Sequence, residues 1–337
     1  MILLRKILFP LALLYWLITY IRNWLYDKGF FNAAEFDLPI IAVGNLSVGG
    51  TGKTPQIEYL IRLLSDKYKV VVLSRGYKRS TEGFILADKK ATASSIGDEP
   101  FQFYSKFPNI QVAVDANRKN GIENLLQLKD KPDVILLDDA FQHRKVKAGF
   151  YILLTAYDDL FCDDYILPFG NLREPSSGKK RADMIIVTKC PKDLSEIAQQ
   201  KIREKLKVKQ PVFFTAIQYD DCIFGNDSQL LVSEIQSESK VLVAGIAKPK
   251  LFFDFLKNET DDTLVFPDHH HFSKQDCEQI LAKANGSKII TTEKDFVRLN
   301  GLLPKEQLFY LPIKSTFLNT NIDKTIEDYV GQSSRNS

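Results

Sequence analysis

A glycine-rich segment close to the beginning of the chain is the first candidate for chemistry. Residues 43–55 read VGNLSVGGTGKTP, and Gly52-Lys53-Thr54 matches the end of the phosphate-binding pattern G-x-x-x-x-G-K-[ST]. Ser47 stands where that pattern has its first glycine, while Gly49 and Gly50 leave the backbone able to wrap a phosphate. An apolar run precedes the segment and a helical pattern follows it. This context favours a phosphate-binding loop over a glycine-rich turn of purely structural use.

The chemistry expected of such a loop is nucleotide binding. Backbone N–H groups and the start of the following helix hold the phosphates. We expect Lys53 to reach the β- and γ-phosphates and the Thr54 hydroxyl to bind Mg²⁺. The predicted nucleotide-binding residues are Asn45, Ser47, Gly49, Gly50, Thr51, Gly52, Lys53 and Thr54.

A pair of carboxylates supplies the expected metal partner of the loop. Asp138 and Asp139 directly follow the apolar run from Val134 to Leu137. Ligands of open α/β sheets bind at the carboxyl ends of the strands. One carboxylate is therefore expected to hold Mg²⁺, directly or through water, and the other to orient it. Paired aspartates also occur in plain turns, but together with the loop they predict a metal site.

A later segment bears on which nucleotide is bound. GTP-binding proteins of this architecture carry [NT]-K-x-D after a late strand, and this chain has Thr188-Lys189-Cys190-Pro191 there. Proline occupies the position of the guanine-reading carboxylate, which points away from GTP. We predict ATP and Mg²⁺ as the cofactors.

The order of strand and helix patterns predicts an α/β fold. Apolar runs of strand length alternate with helical patterns, which is typical of a mostly parallel sheet with helices on both faces. After Pro211 the pattern changes: Val212–Tyr219 and Leu230–Ile235 are expected to form a two-stranded connector before a smaller α/β series. The predicted divisions are an apolar N-terminal helix (1–30), a P-loop ATP-binding domain (31–210), the connector (211–237) and a smaller C-terminal domain (238–331).

Composition limits the class of partner. A net charge of +3 is too small to indicate nucleic-acid binding, and no obligate protein partner is inferred. The four cysteines are scattered without a C-x-x-C pair, so they are interpreted as reduced thiols of a cytosolic protein.

The N-terminus is unusually apolar. Residues 7–21 form an apolar run that follows Arg5 and Lys6 and precedes Arg22. The run is shorter than the roughly 20 residues that a spanning helix needs, and no A-x-A-like site supports a secretory signal. A helix packed on the protein's own core is a further interpretation. Trp16 and Trp24 among aliphatic residues, with flanking cations, favour a helix lying at a membrane surface.

Several short motifs follow one another along the chain: the loop at 43–55, SRGY at 74–77, GDEP at 97–100, DDAFQH at 138–143, GNLREP at 170–175, GIA at 245–247, Asp268-His269 and TEKD at 292–295. In this order they resemble the tetraacyldisaccharide 4'-kinase (lipid A 4'-kinase) family of P-loop kinases. The resemblance implies transfer of the γ-phosphate of ATP to the 4'-hydroxyl of a tetraacylated glucosamine disaccharide 1-phosphate. This lipid partner implies a peripheral location on the cytoplasmic face of the bacterial inner membrane.

Transfer to a hydroxyl needs a base and positive charge near the phosphoryl group. Asp98 is the candidate base, with an ordinary helix cap as the alternative interpretation. The resemblance implies that it pairs with a histidine of the second domain, which here matches His269. Arg118 and Arg173 are the candidates for neutralising the transferred phosphoryl, together with Lys53.

The remaining motif residues have candidate roles in binding. Arg75 is expected to meet a substrate phosphate or to stay near the nucleotide. Gln142 and His143 are expected to hydrogen-bond the nucleotide or the acceptor sugar, and Glu174 to belong to the metal shell. Residues 293–295 are interpreted as a structural cluster at a helix start.

Three alternatives complete the sequence interpretation. The adjacent histidines 269–271 do not predict a metal site, because successive residues of an extended segment point to opposite faces. A membrane-associated nucleotide-switch NTPase without a phosphoryl acceptor is the main rival function. A kinase of a soluble sugar or nucleoside is the third.

Overall fold

The computed structural model describes residues 8–268 and 270–333 of the 337-residue chain. A nine-stranded sheet has the order β15-β8-β7-β6-β1-β5-β2-β4-β3. Its strands are β1 (Ile40–Asn45), β2 (Val70–Ser74), β3 (Ile85–Leu86), β4 (Gln111–Val114), β5 (Val134–Asp138), β6 (Phe150–Ala156), β7 (Met184–Thr188), β8 (Val212–Tyr219) and β15 (Ile313–Phe317). Only the pairs at the two edges, β3 with β4 and β15 with β8, are antiparallel. The predicted mostly parallel α/β sheet is confirmed.

Helices cover both faces of this sheet. Every residue of β1, β2 and β5 is buried, as expected of uninterrupted apolar strands between two helical layers. One face packs against Lys53–Leu64 and Asp323–Ser333, and the other against Arg118–Leu126. The other helices bordering this sheet are Ala93–Ile96, Asp98–Lys106, the 3₁₀ helix Ser176–Arg181, and Glu196–Leu206.

A second sheet of six strands has the order β10-β9-β14-β13-β11-β12. Its strands are β9 (Cys222–Phe224), β10 (Gln229–Leu231), β11 (Lys240–Ala244), β12 (Asp262–Val265), β13 (Lys288–Thr292) and β14 (Leu308–Leu311). The accompanying helices are Val232–Ile235, Lys250–Leu256, Lys274–Ala284 and Glu293–Leu299. Two apolar clusters, one on each face, form a core separate from that of the large sheet.

The predicted pairing of the connector is wrong. Val212–Tyr219 is β8, and it pairs with β7 and β15 of the large sheet rather than with Leu230–Ile235. Leu230 and Leu231 belong to β10, which pairs with β9, and the following residues are helical. Phe214, Thr215 and Ala216 of β8 are buried in the large sheet. The chain therefore crosses between the sheets twice, through the antiparallel neighbours β8 and β15.

The helix Phe9–Asp27 presents its polar side to the protein. Ala12 and Thr19 are buried, and the Tyr15 hydroxyl donates to the carbonyl of Arg173 at 2.9 Å. Most of its apolar side chains point away and are exposed, among them Leu11, Leu13, Leu14, Leu17, Ile18 and Ile21. None of the helices in the described ranges combines the length and hydropathy needed to cross a bilayer.

Candidate active site

The phosphate-binding loop joins β1 to the helix Lys53–Leu64 at the carboxyl edge of the large sheet. Gly49 and Gly52 have φ values of 118° and 80°, so a side chain at either position would strain the backbone. The loop is also held from outside, because the N–H of Val48 donates to the carbonyl of Asn171 at 2.8 Å. Buried Thr51 Oγ1 has no hydrogen-bond partner among the described atoms, and a phosphate oxygen suits it as an acceptor. The loop therefore fits a bound polyphosphate.

The segment that bears on base choice lies directly against this loop. Thr188 Oγ1 donates to the carbonyl of Thr51 at 2.8 Å, and Lys189 Nζ donates to the carbonyl of Gly50 at 2.6 Å. Burial, together with the charges of Lys248 and Lys294, lowers the pKa of Lys189. Residues 188 and 189 thus support the backbone of the glycine-rich loop.

Asp139 binds two cationic side chains beside the loop. Lys53 Nζ lies 3.5 Å from Asp139 Oδ1, and the Arg173 guanidinium binds both carboxylate oxygens at 2.8 and 3.0 Å. Burial alone would raise the pKa of Asp139, but Lys53 and Arg173 outweigh it and hold that pKa below its usual value. Asp139 has a φ of 48°, a conformation rare outside glycine that is often found at functional sites. The carboxylate therefore orients Lys53 and Arg173 toward the phosphate site.

Asp138 lies deeper and has a different environment. It is only 2% exposed and accepts a hydrogen bond from Ser74 Oγ at 3.1 Å. Burial, then the charges of Glu99 and Asp139, raises its pKa to about 7. A buried carboxylate facing other carboxylates is a site that a divalent cation would stabilise.

Magnesium fits the group formed by Thr54, Glu99 and Asp138. Thr54 Oγ1 lies 3.5 Å from Glu99 Oε1, and Glu99 is close enough to raise the pKa of Asp138. Among the described residues no cluster of three or more His, Cys, Asp or Glu could hold a metal. Mg²⁺ commonly takes one or two carboxylates and completes its shell with substrate phosphates and water. The donor set therefore suits a magnesium ion shared with a nucleotide.

Asp98 and Glu99 begin the helix Asp98–Lys106 and meet two cations of the second sheet. Arg298 binds Asp98 Oδ2 at 2.6 and 2.8 Å, and Lys294 lies 2.8 Å from Glu99 Oε1. Sequence analysis did not single out Glu99 or Arg298, and it treated Lys294 as structural. Their positions in the sequence could have indicated two of these residues, because Glu99 directly follows the candidate base and Lys294 belongs to the TEKD motif. The predicted partner His269 lies outside the described residues.

Arg118 contacts backbone carbonyl groups, whereas the sequence analysis predicts contact with the transferred phosphoryl group. Its guanidinium is buried at 2% exposure and donates to the backbone carbonyls of Asp115 and Asp138, the latter at 3.1 Å. Burial lowers its pKa to about 10, so the group stays charged at neutral pH. In this arrangement Arg118 fixes the backbone that carries Asp138, and we retain contact with the phosphoryl group as a prediction.

Glu174 and Gln142 are joined to the N-terminal helix. The Glu174 carboxylate accepts from Arg181 at 2.8 Å, from Gln142 Nε2 at 2.9 Å and from Asn23 Nδ2 at 2.7 Å. Gln142 Nε2 also donates to the carbonyl of Asn45 at 2.8 Å. Within the described part of the chain, these bonds engage both oxygens of the Glu174 carboxylate. The place of Glu174 in the metal shell stays a prediction.

His143 and Arg75 lie on the same side of the site. Burial, together with the charges of Arg118 and Arg75, lowers the pKa of His143 to about 4. His143 is therefore neutral at physiological pH and can donate or accept a hydrogen bond. Arg75 is exposed beyond the end of β2, which leaves its guanidinium accessible to an anionic ligand.

Metal binding is expected to release a proton from Asp138. Burial and the neighbouring carboxylates raise the pKa of Asp138 to about 7, whereas an ordinary aspartate has a pKa near 4. Because Mg²⁺ binds the ionised form, metal affinity should rise about tenfold per pH unit below 7 and level off above it. Titration calorimetry of Mn²⁺ binding to the ATP complex, in buffers of different ionisation enthalpy, measures the released proton. In Asp138→Asn, affinity should be lower and the released proton lost; an unchanged profile would contradict the assignment.

The loop, the gathered cations and the buried carboxylate define a class of protein, the P-loop phosphotransferases that use a nucleotide. A sequence profile of the tetraacyldisaccharide-1-P 4'-kinase family matches residues 4–330. The chain belongs to this family.

Individual relatives agree over nearly the whole chain. Tetraacyldisaccharide 4'-kinase of Flavobacterium johnsoniae is 66% identical over 97% of this chain and 98% of its own length. The enzyme of that name from Bacteroides thetaiotaomicron is 45% identical over 99% of this chain and 95% of its own. A crystal structure of LpxK from Aquifex aeolicus in complex with ATP superposes with a TM-score of 0.78 at 30% identity, covering 98% of this chain and 99% of that one.

Proposed function

We propose that this protein transfers the γ-phosphate of ATP to the 4'-hydroxyl of a tetraacylated glucosamine disaccharide 1-phosphate, a step of lipid A biosynthesis. The observation that carries the proposal is the contact of Lys53 and Arg173 with Asp139 beside the phosphate-binding loop. Family membership supplies the acceptor. ATP as the donor agrees with the nucleotide in the related crystal structure.

The mechanism relies on charge and position. The loop N–H groups and Lys53 bind the phosphates, and Arg173 places a second cation beside the transferred group. Thr54, Glu99 and Asp138 would hold Mg²⁺, which neutralises charge on the phosphates when it is bound. Asp98 accepts the proton of the attacking hydroxyl, and pairing with His269 would orient its carboxylate. Arg75, Gln142 and His143 bind the acceptor sugar or its phosphate.

The two sheets are proposed to act as separate lobes. Their cores are distinct, and the chain passes between them twice, from β8 to β9 and from β14 to β15. The ATP lobe then includes the large sheet, and the smaller lobe contributes Lys294 and Arg298 opposite Asp98 and Glu99. Closure of the smaller lobe would complete the site around the acceptor.

The N-terminal helix is proposed to lie on the cytoplasmic face of the inner membrane. Polar residues of the helix bond to the rest of the protein. Asn23 donates to Glu174, and Arg22 donates to the carbonyl of Gln142 at 2.9 Å. The exposed apolar surface faces outward, opposite to the usual arrangement in water. Since the same helix contacts the segments 142–144 and 173–174, membrane binding would hold the catalytic edge at the lipid headgroups.

Charges on the outer face of this helix should weaken membrane binding. Leu14 and Ile18 are 55% and 57% exposed, so Leu14→Glu with Ile18→Glu leaves the packed stripe intact. Sedimentation with anionic lipid vesicles should show at least about tenfold weaker binding, because each buried apolar side chain contributes on the order of 1–3 kcal/mol. Leu302→Glu, at 52% exposure on the smaller lobe, is the matched control and should bind as wild type. Equal vesicle binding by both variants would contradict this orientation.

Acceptor dependence separates the kinase from the nucleotide-switch alternative. With purified tetraacyldisaccharide 1-phosphate in detergent, ATP consumption should match the formation of phosphorylated glycolipid one for one. A switch NTPase would instead hydrolyse ATP to inorganic phosphate without labelling the lipid. Detergent-independent phosphorylation of a soluble sugar would favour the third function.

A further inference from the structure

The candidate base is held by an arginine of the smaller lobe. Arg298 lies in the helix Glu293–Leu299, and its Nε and Nη2 atoms donate to Asp98 Oδ2 at 2.8 and 2.6 Å. Both bonds end on the same oxygen. The guanidinium therefore holds Oδ2 with two donors, and these two bonds do not involve Oδ1.

Arg298 is itself anchored to the second sheet by a buried carboxylate. Its Nη1 donates to Asp295 Oδ1 at 3.2 Å. Asp295 is fully buried, and its Oδ2 accepts from the N–H of Gly245 at 2.8 Å and from Thr292 Oγ1 at 2.7 Å. Gly245 follows β11 and Thr292 ends β13, so two neighbouring strands position the arginine. Charge-assisted bonds of this kind hold a planar guanidinium in one orientation.

The ion pair between Arg298 and Asp98 is one of several that join the helices Asp98–Lys106 and Glu293–Leu299. Lys294 with Glu99, at 2.8 Å, and Lys106 with Glu293, at 2.7 Å, join the same helices. Arg298 differs from these lysines because its side chain is 6% exposed while that of Asp98 is 27% exposed. The arginine is thus removed from water, whereas the carboxylate keeps an accessible side.

We propose that Arg298 is a positioning residue that orients Asp98 for proton acceptance, and that Asp295 transmits this orientation from the second sheet. The proposal rests on Asp98 being the base in the proposed function. It adds a specific requirement: the smaller lobe must supply a forked donor, which lysine cannot replace because its ammonium is a single point of charge.

Kinetics of Arg298 variants test the proposal. Arg298→Ala should lower kcat for glycolipid phosphorylation about 10- to 100-fold, since misplacing a reacting group has effects of this size, while the KM for ATP stays within about twofold. Arg298→Lys keeps the charge and should recover only part of the loss. Lys283→Ala removes an exposed pair with Asp262 on the same sheet and should match wild type.

A double-mutant cycle distinguishes orientation of Asp98 from a general structural role. In an Asp98→Ala background, removing Arg298 should change the residual kcat by less than about twofold, because the group that it orients is gone. Thermal unfolding confirms that each variant is folded, and Arg298→Lys serves the same cycle if the alanine variant is not. A wild-type kcat in the single variants, or a full additional loss in the double variant, would overturn the proposal. A wild-type protein that labels no glycolipid would instead overturn the proposed function.

Discussion

Lys53→Ala is expected to lower kcat for glycolipid phosphorylation by at least about 10³-fold, the range found when a cation at the transferred phosphoryl group is lost. The ammonium group is close to Asp139 and only 16% exposed, so water replaces its charge poorly. Arg173 remains on Asp139 and keeps the edge of the sheet in place. Initial rates with saturating ATP and acceptor measure the effect, and circular dichroism confirms that the fold is retained.

A nearby lysine provides the control for that result. Lys67 lies just beyond the same helix and makes an exposed pair with Glu327. Lys67→Ala removes the same charge and should retain wild-type turnover, because exposed pairs contribute little to stability or to a distant site. Turnover by Lys53→Ala near the wild-type rate would remove the nucleotide half of the mechanism.

Asp98→Ala is expected to lower kcat about 10²- to 10⁴-fold with ATP binding nearly unchanged, because general-base catalysis contributes factors of this size. The carboxylate lies at the start of the helix Asp98–Lys106 and contacts Arg298 rather than the phosphate loop. Fluorescent-nucleotide titration measures ATP affinity separately from turnover. Asp130→Ala, which breaks an exposed pair with Lys69, is the matched control. A change confined to the KM for ATP would contradict the assignment of Asp98 as the base.

The phosphate half of the site was predictable because its signals are local. The loop at 43–55 carries both its glycines and its lysine within one segment, and Asp138 directly follows an uninterrupted apolar run. Parallel strands bring such segments to a common edge, so spacing along the chain predicts proximity in space. The structure brings Lys53, Asp139 and Arg173 together at that edge.

The half supplied by the second sheet was not predictable from local pattern. Arg298 reaches Asp98 across 200 residues of sequence, and Lys294 reaches Glu99 across a similar span. A charged residue at a helix start has the same pattern whether it is solvated or meets another lobe. The pairing of β8 failed for the same reason, because β15, its partner, lies almost 100 residues further along the chain.

The N-terminal helix carries a polar stripe that its overall apolar composition hides. Its packed residues Ala12, Tyr15, Thr19 and Asn23 recur at helical spacing, and three of the four are polar. An apolar run with one polar stripe indicates a helix that faces protein on the stripe and a different environment elsewhere. That arrangement supports the proposed membrane surface and argues against burial in the protein's own core.

The transferred phosphate itself gives the most direct test of the central claim. Purified protein is incubated with γ-labelled ATP, Mg²⁺ and tetraacyldisaccharide 1-phosphate, and the position of the label is determined by fragmentation of the glycolipid product. The account predicts one labelled phosphate on the 4'-oxygen of the distal glucosamine, and none with Lys53→Ala. Label recovered only as inorganic phosphate, or attached at another position of the lipid, would contradict it.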